Sequence, residues 1–165
     1  MNIWESSLTR QAWELNYNFD VFFLSVGPNF AFFHDTFGAE TVEGIIGPGA
    51  WNEKSSPGAK QFYEKYLARY GEEPDYWGAL VYYSSLQHFQ KAVEEAGTLN
   101  QAKIRDFLAT KAYDTYIGRF SYDKDGCFRG HLGEIGQWQK GLFEVIGPAE
   151  KSTAFAILKP KWPPR

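Results

Sequence analysis

Three histidines (His34, His88, His131), one cysteine (Cys127) and adjacent carboxylates at Glu72-Glu73 and Glu94-Glu95 are the residues from which a base, a nucleophile or a metal site would be assembled. Their spacing does not assemble one. No GxSxG elbow, HExxH helix, GxGxxG fingerprint or P-loop occurs, and Gly47-Pro48-Gly49 lacks both the phosphate-loop spacing and its lysine. His34-Asp35 could pair as a base and its orienter, but neighbours on a helix point in different directions. His88 and His131 stand alone, where surface or hydrogen-bonded structural roles are the plainer reading. The Asp123 to Gly126 run has the look of a calcium loop. With Gly126 at the glycine position, however, Ser121 falls first and Leu132 twelfth, where acidic ligands are required. It reads as an Asp-Gly turn. The carboxylate pairs sit near helix ends among polar residues and read as solvated faces. No catalytic residue, metal site or cofactor is expected, and the chain is not read as an enzyme.

What must position any functional residue is a chain of 165 residues, one ordinary domain in length. Hydrophobic residues make up 44% and charged residues 22%, the balance of a soluble globular protein. Aromatic content is high at 18%, enough both to fill a core and to line a ligand cleft. The net charge of −3 has no basic stripe, so nucleic acid is not an expected partner. The apolar run over 19–33 is broken by Asp20, Gly27, Pro28 and Asn29 and is too short to span a bilayer. Met1 is followed by Asn-Ile-Trp-Glu, so no signal peptide is visible; the chain either stays inside the cell or has its true N-terminus upstream. The lone Cys127 excludes an internal disulfide.

The patterning alternates helix and strand. Residues 3–15 place Trp4, Leu8, Ala12 and Leu15 on one helical face. The apolar run 20–26 reads as a strand covered on both faces, a short helix follows to about Phe37, and 42–47 reads as a second strand. Ser56 before Pro57 starts a helix that Gly71 closes; Asp75 caps a long helix ending at Gly97; Asn100 caps a third. The long helix presents Ala79, Tyr83, Leu86, Gln90 and Val93 along one face. From Tyr113 the pattern turns to strands over 116–122, 133–139 and 142–146, with turns at 123–126 and Lys140-Gly141. This is an α/β protein with an expected largely parallel sheet. Three consecutive helices lack strands to cover, which points to partners from an upstream segment or another chain.

The order of motifs is more specific than any one of them. Ser25-Val26-Gly27-Pro28-Asn29-Phe30 precedes Val42-Glu43-Gly44-Ile45-Ile46-Gly47 and Trp51. Then come Lys65-Tyr66-Leu67-Ala68-Arg69-Tyr70-Gly71, Glu73-Pro74-Asp75-Tyr76 and the long helix with Gln87. Asp114-Thr115-Tyr116-Ile117-Gly118-Arg119-Phe120, Gln137-Trp138-Gln139-Lys140-Gly141 and Lys159-Pro160-Lys161-Trp162 complete the series. In order and spacing this resembles the C-terminal portion of type I periplasmic binding proteins of the branched-chain amino acid (leucine/isoleucine/valine-binding) ABC transporter class.

The resemblance implies two Rossmann-like lobes, present here incompletely, with a ligand in the cleft between them. Residues 1–47 would be part of the C-terminal lobe, 48–52 a hinge crossover, 53–128 part of the N-terminal lobe, and 129–165 the return to the C-terminal lobe and tail. It implies a solute-binding component of an importer in the periplasm, with a membrane permease as partner, or a ligand-sensing receptor domain of the same fold. The ligand would be an amino acid or small carboxylate. Asn29 matches the position where amino-acid-binding members carry an acidic residue for the ligand ammonium, and Asn brings no charge there. Phe30, Trp51, Tyr76 and Trp77 are the other expected ligand-binding residues. If the chain stands alone, exposed apolar faces imply a homodimer or a swapped assembly.

Overall fold

The computed structural model describes residues 3–129 and 134–164; His131 and the expected strand start at Gly133 lie outside the described residues. Helix α1 (Ile3–Glu14) leads to the two-residue strand β1 (Phe22–Phe23), a 3-10 turn at Gly27–Asn29, then α2 (Ala31–Phe37), α3 (Ala39–Val42) and β2 (Ile45–Pro48). Three helices follow: α4 (Pro57–Tyr70), α5 (Ala79–Ala96) and α6 (Gln101–Thr110). Strands β3 (Tyr113–Thr115), β4 (Gly118–Tyr122), β5 (Phe128–Arg129), β6 (Ile135–Gln139) and β7 (Leu142–Gly147) complete the order.

The helix boundaries follow from their caps. Ser56 Oγ accepts from the Ala59 N–H at 2.9 Å, Pro57 opens α4, and Gly71 ends it at φ 72°. Asn100 Oδ1 accepts from the Lys103 N–H at the start of α6. Asp75 Oδ1 accepts from the N–H groups of Trp77 and Ala79 and so holds the turn leading into α5, whose own N-cap position is Gly78 and not the expected Asp75.

Strands β1, β2, β6 and β7 form one sheet in that order, and β3, β4 and β5 a second. The expectation of a largely parallel sheet is corrected: only β1–β2 is parallel, while β2–β6 and β6–β7 run antiparallel. The reason lies in the connections. Parallel neighbours need a crossover helix, and α2 and α3 supply one only between β1 and β2. The two-residue Lys140-Gly141 turn, both residues at positive φ, obliges β6 and β7 to fold back on each other.

A core of Phe22, Leu24, Phe33, Val42, Ile45, Trp138, Phe143 and Val145 packs about the four-stranded sheet. The tail is strapped onto it: Gln137 exchanges hydrogen bonds with the Ile157 backbone, and the buried Trp162 donates to the Tyr17 carbonyl at 2.7 Å. A second cluster joins Trp51, Ala59, Phe62 and Leu80, and a third Ala92, Ile104 and Tyr113.

Two helix faces differ from expectation. On α1, Ala12 is buried as expected, but Trp4, Leu8 and Leu15 are exposed, Trp4 at 82%. The buried neighbours are Glu5 and Thr9, because Gly27 lets the 3-10 turn approach Glu5 so closely that a Cβ would stand 2.8 Å from the Glu5 Cβ. On α5 the buried stripe is Leu80, Ser84, His88 and Ala92, one to two positions from the expected face; Ala79 and Val93 stay partly buried, while Tyr83 and Leu86 are exposed.

Candidate functional site

A cavity of about 670 Å³ opens between α2 and the C-terminal end of α4 with the loop after it. Three parts of the chain build it. Phe30, Phe32, His34 and Asp35 come from the start of α2; Tyr66, Glu72, Glu73 and Asp75 from the end of α4 and its loop; Trp138 and Gly141 from the β6–β7 hairpin.

The local folding that places these groups is explicit. Pro28 and the 3-10 turn send the chain from β1 into α2 with Phe30 extended at φ −104°, and its ring stacks on Phe32 at 5.6 Å. Trp138 lies flat under His34, ring centroids 5.0 Å apart and 28° from parallel, and its indole N–H donates to the Pro28 carbonyl at 2.9 Å. His34 Nδ1 meets Asp35 Oδ1 at 3.3 Å, so these adjacent side chains do touch, contrary to the expectation from helix geometry. Gly71, closing α4 in the left-handed region, turns the Glu72-Glu73 pair towards the cavity. Glu73 is then braced by two phenols: Tyr63 Oη donates to its Oε1 and Tyr76 Oη to its Oε2, each at 2.6 Å. Burial first, and the Glu73 carboxylate second, push both tyrosine hydroxyls well above the ordinary phenol range.

Of the five expected ligand residues, Phe30 borders this cavity. Asn29 is fully buried behind its wall. Its Nδ2 donates to the Pro48 carbonyl at 2.6 Å and its carbonyl accepts from the Tyr76 N–H at 2.8 Å, so it ties three passes of the chain together. Tyr76 is buried between Trp138 and Phe143, and its backbone carbonyl accepts from the Trp51 N–H. Trp51 is 2% exposed and packs edge-on against Phe62. Trp77 is exposed on one side and covers Gly49 on the other, a glycine at φ 64° with no room for a Cβ beneath the indole. Sequence reasoning passed over His34, Trp138, Glu72 and Asp75 as cavity residues. The available signal was the Gly71 cap, which turns the following acidic residues off the helix, together with the aromatic in Gln137-Trp138-Gln139.

The arrangement offers aromatic surface and carboxylates around a space of solute size. The Asp123 turn satisfies itself: its carboxylate accepts from the Asp125 and Cys127 N–H groups and from Arg129, which together hold it below the usual carboxylate range. Among the described residues no three His, Cys, Asp or Glu side chains gather to hold a metal ion, and no helix is long and apolar enough to cross a membrane.

Comparison with solved structures places the fold. The leucine binding protein LivK of Thermotoga maritima superposes with a TM-score of 0.68 at 24% identity, over 85% of this chain and 40% of that one. The branched-chain amino acid transporter substrate binding protein LivJ of Streptococcus pneumoniae, solved in complex with isoleucine, gives 0.70 at 26% identity over 87% and 41%. The leucine-, isoleucine-, valine-, threonine- and alanine-binding protein of Brucella ovis, in a closed conformation, gives 0.68 at 18% over 90% and 42%. The chain thus spans about two fifths of the length of these proteins. A family model for periplasmic binding proteins matches residues 6–141. With that match across most of its length, the chain belongs to the periplasmic binding protein family.

Proposed function

We propose that the chain is the ligand-contacting C-terminal portion of a solute-binding component of an ABC importer, taking a small amino-acid-like or carboxylate ligand. The cavity of about 670 Å³ carries this reading: it lies between α2, which stands on the four-stranded sheet, and α4, which follows the Pro48 to Asn52 crossover. That is where two bodies of one chain face each other. Residues 1–47 with 129–165 form the part of one lobe, 53–128 part of the other, and 48–52 the hinge. Asn52 supports the hinge role, its Nδ2 donating to the Phe143 carbonyl and to Thr153 Oγ1 while its Oδ1 accepts from the Lys54 N–H. Closure of the lobes would exclude water from the ligand and present a surface to a membrane permease outside the cytoplasm.

Isothermal titration with L-leucine, L-isoleucine and a panel of small carboxylates tests the proposal. Saturable binding of at least one supports it; no saturable heat from any of them sinks it.

A further inference from the structure

The position expected to carry the ligand's counter-charge, Asn29, is neutral and spends its amide on the Pro48 carbonyl. Negative charge appears instead across the cavity, on two facing walls. Asp35 projects from α2, 74% exposed, and Glu72 stands exposed at the end of α4. Glu73 and Asp75 add two more carboxylates, oriented but not neutralised by the tyrosine hydroxyls and backbone N–H groups that bond them. Among the described residues no lysine or arginine borders the cavity. The nearest basic side chains in sequence line other surfaces: Lys65 and Arg69 border the groove with Tyr70 and Tyr116, and Lys140 a separate depression with Pro160.

The remaining walls are π faces. Phe30 stacked on Phe32, Tyr66 from α4, and the Trp138–His34 stack surround the space. His34 Nε2 is buried and meets no hydrogen-bond partner among the described residues. Aromatic faces carry negative quadrupole density and attract cations, the more so when the cation sheds water. A solute's bare carboxylate, placed here, would meet carboxylates and ring faces of the same sign.

We propose that this cavity takes the positive end of an organic cation, an ammonium or quaternary ammonium group on a small apolar body. The proposal rests on the solute-binding reading above and names its ligand class. Asp35 and Glu72 set the charge from opposite walls, while Phe30, Tyr66 and the His34 ring, backed by the buried Trp138, enclose the cationic methyl or methylene groups. A zwitterionic ligand would point its carboxylate away from these residues.

The test titrates the 165-residue chain with choline and with 3,3-dimethylbutan-1-ol, the neutral carbon analogue of the same shape, by calorimetry at low ionic strength. Choline is expected to bind saturably and about tenfold more tightly than the neutral analogue. Glu72→Gln is expected to weaken choline about fivefold, as is Asp35→Asn. Equal affinity for the two probes, no saturable choline binding, or unchanged choline affinity in both variants overturns the cation site. Binding of L-leucine or a small carboxylate with choline silent overturns it too, yet leaves the solute-binding reading standing. Silence of every probe overturns both.

Discussion

Glu73 shows how one residue can set the geometry of the cavity wall in which it stands. Its two oxygens hold Tyr63 from α4 and Tyr76 from the loop before α5, so the loop between them cannot drift. Removing the acceptor strands two partly buried hydroxyls, each bonded to a charged group. Glu73→Ala should therefore lower the unfolding free energy by about 1–3 kcal/mol in urea titration. His88 makes a different prediction. It is 1% exposed among Tyr113, Phe120 and Tyr122, and burial lowers its pKa from the ordinary 6.5. Above 6.5 it is neutral in both folded and unfolded chains. As pH falls below 6.5 the unfolded chain takes up the proton first, so stability is lost on the acid side. His88→Phe should flatten that part of the stability–pH curve. The turn read for Asp123 from sequence fits its surroundings, whereas His88, expected at the surface or hydrogen-bonded, is buried among aromatic rings. The cavity roles of His34 and Trp138 were illegible because the contact between them is made by residues 104 positions apart.

At the scale of elements, punctuation was more legible than facing. Ser56, Pro57, Gly71, Gly97 and Asn100 each end or begin a helix where their chemistry says they should. The buried faces of α1 and α5 were mis-phased, and for one physical reason. Both bury polar residues, Glu5 and Thr9 on α1 and Ser84 and His88 on α5, which a hydrophobic pattern cannot register. On α5, Ser84 Oγ accepts from the Ile117 N–H at 3.1 Å, and Gln87 Oε1 from the Tyr116 N–H at 3.0 Å, fixing the β3–β4 turn against the helix. The same turn meets the first turn of α4 at Gly58, where an added Cβ would press on the Tyr116 backbone, a partner that cannot swing aside. Gly58→Ala is expected to cost about 1–3 kcal/mol through overpacking, read as a lowered urea midpoint with an unchanged slope. Parallel strand pairing was over-expected because the sequence shows crossover helices and not which strands they join.

At the scale of the whole molecule, large apolar side chains are exposed at several places among the described residues, and two groups lie on helices. Trp4, Leu8, Leu15, Val21 and Phe23 cluster in sequence about α1 and β1, an edge strand paired on one side only. Leu67, Tyr70, Tyr82, Tyr83, Leu86 and Phe89 do so on α4 and α5, beside a groove of about 400 Å³. Exposed apolar faces of this extent are surfaces that tend to be covered by another body. The isolated chain should consequently self-associate: sedimentation equilibrium is expected to give a mass that rises with concentration. A single monomeric mass at every concentration would show that these faces need no cover. Family membership was readable from the order of motifs, whereas the position of the cavity emerged only when α2, the end of α4 and the β6–β7 hairpin were brought together.

The central claim is that solute is held by the surface formed where those three elements meet. Amide chemical-shift mapping of the ¹⁵N-labelled chain during titration with L-isoleucine and with choline tests it directly. The account predicts that at least one probe saturates and moves the amides of residues 30–35, 71–73, 75 and 138–141. Saturable shifts confined to another surface, such as the groove between α4 and α5, or no saturable shift with either probe, would contradict it.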